Sequence, residues 1–321
     1  MRAEPIRSPL TQPPADDAGD LRLVELIRAE IERDGPITFA RFMEHALYEP
    51  GLGYYATSAT RPTRAGDFLT APELHPIFGQ TVARWLDEMW RGMDRPRPFV
   101  VREYGAGTGA LYQSIVDGLV RMASDLADQI EYRPIETEGR QPAQQKPAGR
   151  FVGAVIANEF VDALPVHRVI GRERGLRELR VGWSDGRFAE VESALSDDRL
   201  ASWFDRRRIA LAEGQRAEVN LAMLDWLVQV GRDLERGYVM IFDYGAPAAE
   251  LYTAERNTGT LRAFRGQHVS SDLFGGVGHQ DLTAHVDLDA LEDGARGADL
   301  DVLERTGQAE FLIASGFEKV Y

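Results

Sequence analysis

The chain has 321 residues, enough for one large elaborated domain or two smaller ones. Its 44% hydrophobic and 27% charged residues are those of a folded globular protein and exclude a disordered, collagen-like or membrane-spanning chain. Cysteine is absent, which removes disulfides, thiolate nucleophiles and Cys-ligated metals, and the net charge of −14 repels phosphate backbones, so neither nucleic acid nor a membrane is an expected partner.

Met1 to Pro14 is polar and Pro-rich with no apolar signal region. The cytoplasm is the expected location; Glu4 and the acidic run from Asp16 to Asp20 argue against a cleaved organelle leader. Residues 1–19 are expected to form a disordered tail. From Asp20 to Asp34, Leu23, Leu26, Ile27 and Ile31 share one helical face, and Gly35-Pro36 ends the helix. Thr38 to Leu47 predicts a second helix with Phe39, Phe42, Met43 and Ala46 inward. Tyr48-Glu-Pro-Gly-Leu-Gly-Tyr-Tyr55 is a turn-rich connection. In Gly66-Asp-Phe-Leu-Thr-Ala-Pro-Glu73, Thr70 and Glu73 have capping-box spacing. The helix after it carries Leu74, Phe78, Val82, Trp85 and Met89 and ends near Gly92.

A strand–helix alternation begins at Pro98. Residues 98–103, 130–136, 152–157 and 237–243 read as strands, with a helix carrying Leu111, Ile115, Leu119 and Met122 after the first, which predicts a parallel α/β sheet. Val166 to Val191 alternates apolar and polar residues around Gly171, Gly175 and Ser184-Asp-Gly186, as an inserted antiparallel hairpin or two would. Val219 to Leu234 reads as a helix, and Gly259–Phe264 and Leu282–Val286 as later strands. The expected organisation is a tail over 1–19, a helical region over 20–96 and an α/β domain over 97–321, with the insertion at about 166–235.

Candidate chemistry lies at the strand ends. Glu103-Tyr-Gly-Ala-Gly-Thr-Gly109 stands where a strand hands over to a helix, where glycines let the backbone turn sharply and approach a ligand. A phosphate-binding P-loop is excluded because no G-x-x-x-x-G-K-[S/T] run exists. Gly105, Gly107 and Ala110 satisfy a dinucleotide fingerprint; Gly105, Gly107 and Gly109, with Glu103 two residues earlier, satisfy the loop that binds S-adenosylmethionine. An acid at that strand end suits the cationic methionine part of this cofactor and repels a pyrophosphate. Glu136 ends the second strand, where an acid can bond both hydroxyls of a ribose; it lies 31 residues after Gly105, beyond the ~20 of a nicotinamide fold. The next strand ends in Asn158-Glu-Phe-Val-Asp-Ala-Leu-Pro165. If a helical turn follows it, Glu159 and Asp162 share a face, and two adjacent carboxylates can hold a guanidinium bidentately with its lone pair aimed at a methyl donor. Tyr244, in Asp243-Tyr-Gly245 after another strand, is placed to line the same crevice. The six histidines lack metal-ligand spacing, so no metal is expected.

Together these blocks resemble the MidA-like S-adenosylmethionine-dependent methyltransferases. The resemblance rests on Tyr48–Tyr55, Gly66–Glu73 with Phe78-Gly79, Glu103–Gly109, Ala157–Val166, Asp243–Gly245 and Gln280-Asp-Leu-Thr-Ala-His-Val-Asp287, in that order along roughly residues 38–316. It implies a class I, Rossmann-like methyltransferase fold with a helical N-terminal part closing over the cofactor. Gly105, Gly107, Gly109 and Glu136 would be cofactor contacts, and Asp67 and Thr70 would lie near it; Glu103 and Asn158 belong to the same expected set. The family's mitochondrial members are protein-arginine methyltransferases that assist respiratory complex I assembly, which implies a protein substrate. Only fifteen Gln/Pro-rich residues (137–151) precede the next strand, where the family has room for a helix and an edge strand. The expected activity is methylation of a protein arginine, with Glu159, Asp162 and Tyr244 as catalytic residues. A non-catalytic assembly factor that binds the cofactor and a small-molecule methyltransferase stay open as alternatives.

Overall fold

The computed structural model describes residues 19–58, 75–135, 149–265 and 268–314. The tail at 1–18, the Gly66–Glu73 segment with Asp67 and Thr70, and Glu136 with the stretch up to residue 148 lie outside the described residues.

Helix α1 spans Leu21–Asp34. Asp20 caps it, its carboxylate accepting from the Arg22 N–H at 2.9 Å, and Gly35 closes it at φ 84°. Gly19, expected in the tail, is instead bridged to Val277. Strand β1 (Ile37–Thr38) leads into α2 (Phe39–Tyr48), capped by Thr38, with Phe39, Phe42, Met43 and Ala46 buried as expected. A short helix, α3, covers Tyr54–Ser58. In α4 (Ile77–Gly92) the deepest stripe is Val82, Leu86 and Trp90. The expected Trp85 and Met89 lie at its margin, because Trp85 turns away to stack on Phe311.

Strand β2 (Phe99–Tyr104), helix α5 (Ala110–Arg121), strand β3 (Ile130–Ile135) and strand β4 (Phe151–Asn158) follow. The chain then leaves for a meander of β5 (His167–Arg172), β6 (Gly175–Ser184) and β7 (Arg187–Ser193), helix α6 (Arg199–Asp205) and strand β8 (Arg216–Val219). Helix α7 (Leu221–Asp233) and strand β9 (Leu234–Phe242) return it to the sheet. The described parallel sheet has the order β3-β2-β4-β9. Crossovers leave β2 in opposite directions, so the carboxyl end of β2 is a switch point where open α/β sheets bind ligands.

Period-two alternation sorts the sheet's side chains. Phe99, Val101, Ala154 and Ile156 face α4 and α5, while Val100, Tyr104, Val155 and Ala157 face α7 through Met223 and Trp226. Arg102 is the exception: it is buried within β2, salt-bridged to Asp233 at 2.7 Å, bonded to the Gly149 carbonyl at 2.6 Å and laid over the Phe151 ring. Removing Asp233 leaves a buried uncompensated guanidinium. Asp233→Ala is expected to destabilise the fold by about 3–5 kcal/mol, read as a lower urea midpoint at unchanged slope.

The insertion is an antiparallel sheet, β1-β6-β5-β8, with β7 on β6. Gly171, expected in a turn, lies inside β5, where a Cβ would meet the Ala212 carbonyl oxygen at 2.3 Å; the turn is at residues 173–174. Ile37 pairs with Val181, so the N-terminal helices rest on this sheet, with Leu23, Ile27, Phe42 and Met43 in one cluster with Val181 and Phe188. The last part of the chain contains β10 (Gly245–Ala246), α8 (Ala248–Leu251), β11 (Arg262–Arg265), β12 (His268–Ser270), β13 (Asp281–Thr283), β14 (Val286–Asp287), α9 (Leu288–Gly297) and α10 (Gln308–Ala314). The expected later strands form a small separate antiparallel sheet, β12-β11-β13, and β14 pairs with β10.

Candidate active site

The loop after β2 is built for a close ligand. Gly105, Gly107 and Gly109 have φ of 67°, 59° and 76°, a left-handed run that residues with a Cβ rarely adopt. The Gly105 N–H bonds the Ile135 carbonyl at 3.0 Å, which ties the loop to the end of β3. Gly109 caps α5 without a side chain, so bare backbone amides and the positive end of the helix dipole face outward there. Glu103 is buried beneath the loop and accepts from the Tyr132 hydroxyl at 2.9 Å; Tyr132 in turn stacks flat on Tyr112 of α5, with centroids 3.7 Å apart.

These residues fit S-adenosylmethionine. Open helix amides suit its carboxylate, a buried carboxylate suits its cationic groups, and three glycines leave room for its backbone-hugging chain. Of the other expected contacts, Asn158 stands partly exposed at the end of β4, adjoining the loop, whereas Asp67, Thr70 and Glu136 lie outside the described residues.

Glu159 follows Asn158 with φ 47°, a left-handed conformation costing about 1–3 kcal/mol. The expected helical turn therefore does not form: residues 159–165 are an irregular turn. Asp243, at the end of β9, holds it. One Asp243 carboxylate oxygen accepts from the N–H groups of Phe160, Val161 and Asp162 at 3.2, 2.7 and 3.3 Å, and the other from Tyr244 at 2.8 Å. Burial pushes the Asp243 carboxyl up to about 6, against the opposing pull of these N–H bonds. The turn is thus bent by a residue about 80 positions away, and the carboxylates of Glu159 and Asp162 still come within electrostatic reach of each other.

Asp162 is only 8% exposed. Its carboxyl is raised well above the usual range by burial, then by Asp243, Asp281 and Glu159. Tyr244 is half exposed, and its phenol is raised by burial and by Glu159, Asp162 and Asp243. The structure therefore gathers Glu159, Asp162 and Tyr244 at the carboxyl ends of β4 and β9, next to the glycine loop on β2. Sequence reasoning passed over Asp243, Asp281 and Tyr55. Asp243 was visible only as a polar residue at a strand end; nothing near it in sequence signals its amide partners.

Such a loop on such a sheet defines a class: a Rossmann-like enzyme that binds a nucleoside cofactor with a cationic tail. A family model described as S-adenosyl-L-methionine-dependent methyltransferase matches residues 81–306, and the chain belongs to this family. It is 30% identical over 340 residues to the mitochondrial protein arginine methyltransferase NDUFAF7 homolog of Drosophila melanogaster, covering 87% of this chain and 72% of that protein. It is 26% identical to mitochondrial protein arginine methyltransferase NDUFAF7 of Homo sapiens, covering 84% and 67%. A Burkholderia thailandensis protein crystallised with S-adenosyl-homocysteine superposes with a TM-score of 0.84 at 33% identity, covering 97% of this chain and 85% of that one.

The protein is thus an S-adenosylmethionine-dependent methyltransferase with the class I fold expected from its sequence. The expected cytoplasmic location is overturned, since these curated relatives are named as mitochondrial proteins. The acidic run at 16–20 was a poor guide because at least one of its acids serves the fold: Asp20 is the cap of α1.

Proposed function

We propose that this methyltransferase transfers its methyl group to the guanidinium of a protein arginine, and that Glu159, Asp162 and Tyr244 form the acceptor site. One observation carries the reading: the 159–162 turn and Tyr244 follow the carboxyl ends of the adjacent parallel strands β4 and β9, beside the glycine loop at the end of β2. The names of the curated relatives support the same acceptor. We further propose that the acceptor protein is a respiratory-chain subunit in mitochondria, the partner and place that the family resemblance implies.

Bound S-adenosylmethionine supplies an electrophilic methyl on a sulfonium. Gly105, Gly107, Gly109, Glu103 and Asn158 would hold it, together with Asp67, Thr70 and Glu136. Glu159 and Asp162 would grip a guanidinium edge and fix one nitrogen on the line of transfer. That nitrogen gives up a proton, and a carboxylate already biased toward protonation, such as Asp162, can take it. Tyr244 would wall the pocket.

The test is methyl transfer to a short arginine peptide and its lysine counterpart, read by mass. The intact protein is expected to methylate the arginine peptide. Glu159→Gln is expected to lower kcat by about a hundredfold or more while cofactor affinity holds. Methylation of the lysine peptide alone, or equal losses of cofactor affinity and kcat in the variant, would overturn the assignment.

A further inference from the structure

Two sequence blocks play no part in the reading above: Tyr48–Tyr55 and Gln280–Asp287. The fold brings both against Asp162. The Tyr55 hydroxyl donates to Asp281, lying 2.9 Å from each carboxylate oxygen. Tyr48 stacks on Tyr55, with centroids 5.5 Å apart and rings 24° from parallel, and its own hydroxyl donates to the carbonyl of Ala163 at 2.8 Å. The Ala284 N–H, three residues after Asp281, donates to the Asp162 carbonyl at 2.9 Å. The turn is therefore held by Tyr48 through the Ala163 carbonyl and by the residue after β13 through the Asp162 carbonyl, as it is held by Asp243 through three N–H groups. Asp281 itself is 9% exposed, and its charge acts on Asp162.

An O–H shared between both oxygens fixes the plane of a carboxylate. The Tyr55 phenol is suited to hold that bond: burial and the Asp281 charge push its proton loss well above the ordinary range, so it stays a donor. Glu159 and Asp162 come from the turn after β4 and Asp281 from β13. Carboxylates on two separate elements suit the planar fork of a guanidinium, which offers five N–H donors in fixed directions, better than the compact ammonium of a lysine.

We propose that Asp281 is a further acceptor-binding carboxylate of this site and that Tyr55 is the positioning residue that aims it, so that together they select arginine over lysine. This rests on the reading of Glu159 and Asp162 as guanidinium ligands.

The experiment is calorimetric titration of the full chain, saturated with S-adenosylhomocysteine, with a capped Gly-Arg-Gly peptide and its lysine counterpart. Asp281→Asn is expected to weaken arginine-peptide binding by about tenfold or more, and Tyr55→Phe by about threefold, with S-adenosylhomocysteine affinity unchanged. Asp281→Glu is expected to restore part of the loss. Tyr55→Phe keeps the ring stack on Tyr48, so it tests the same geometry even where Asp281→Asn fails to fold. Wild-type peptide affinity in Asp281→Asn, or equal weakening toward the arginine and lysine peptides, would sink the proposal while leaving Glu159 and Asp162 standing. An intact protein that binds S-adenosylhomocysteine but not the arginine peptide would bring down both readings.

Discussion

Gly107→Val is expected to lower S-adenosylmethionine affinity by about a hundredfold or more, which is about 2.8 kcal/mol, with the fold intact. Gly107 sits at φ 59° in an exposed loop. Two effects act together. A β-branched residue is strongly disfavoured in that region, so the loop shifts toward another backbone shape. Its side chain would also occupy the space proposed for the cofactor along this loop. Gly107→Asn separates the two, because asparagine tolerates left-handed backbone. If it keeps thermal stability and still loses binding, space at the loop is the decisive requirement. Calorimetric titration with S-adenosylmethionine, beside a thermal melt, reads both. Valine-variant affinity within a fewfold of wild type would place the cofactor elsewhere.

Asp162→Asn is expected to make the protein more stable and less active. Asp162 is nearly buried, among Asp243, Asp281 and Glu159, and all three raise its proton affinity, after burial itself. The sign of the pH effect follows. A carboxyl whose folded value exceeds its unfolded value near 3.8 binds more protons in the folded state, so folding is favoured at low pH. That contribution is lost as pH rises through the folded value. Asparagine resembles the protonated form at every pH. The variant's gain in unfolding midpoint over wild type should therefore be close to nil near pH 4 and grow toward pH 8, with a rise of about 2 °C or more at the upper end. Methyl transfer should fall by about a hundredfold or more over the same range. Sites that trade stability for chemistry behave this way. A midpoint difference that stays flat with pH would show that Asp162 carries no such strain.

The elements were legible because their causes are local. Helical spacing placed Phe39, Phe42 and Met43 inward, Asp20 and Gly35 bound α1, and continuous apolar runs marked β2 and β4. The glycine loop was legible for the same reason: three glycines at a strand-to-helix junction are needed by that backbone path alone. Finer facing was less so. In α4 the helical period admits both Trp85 and Trp90, and the contact of Trp85 with Phe311, far along the chain, settled which one is deeper.

The proposed acceptor side depended on contacts between distant segments. A three-residue spacing of Glu159 and Asp162 promises a shared helical face, but the left-handed backbone at Glu159 and the Asp243 bonds to three successive N–H groups form a different turn. Tyr55 and Asp281 meet across 226 residues, a separation over which no local pattern carries information. Local backbone preference and hydrophobic period, which act within a few residues, thus sufficed for the elements, the sheet and the glycine loop. Burial and long-range hydrogen bonds, which exist only once the chain has closed on itself, chose which carboxylates stand together and how they are aimed.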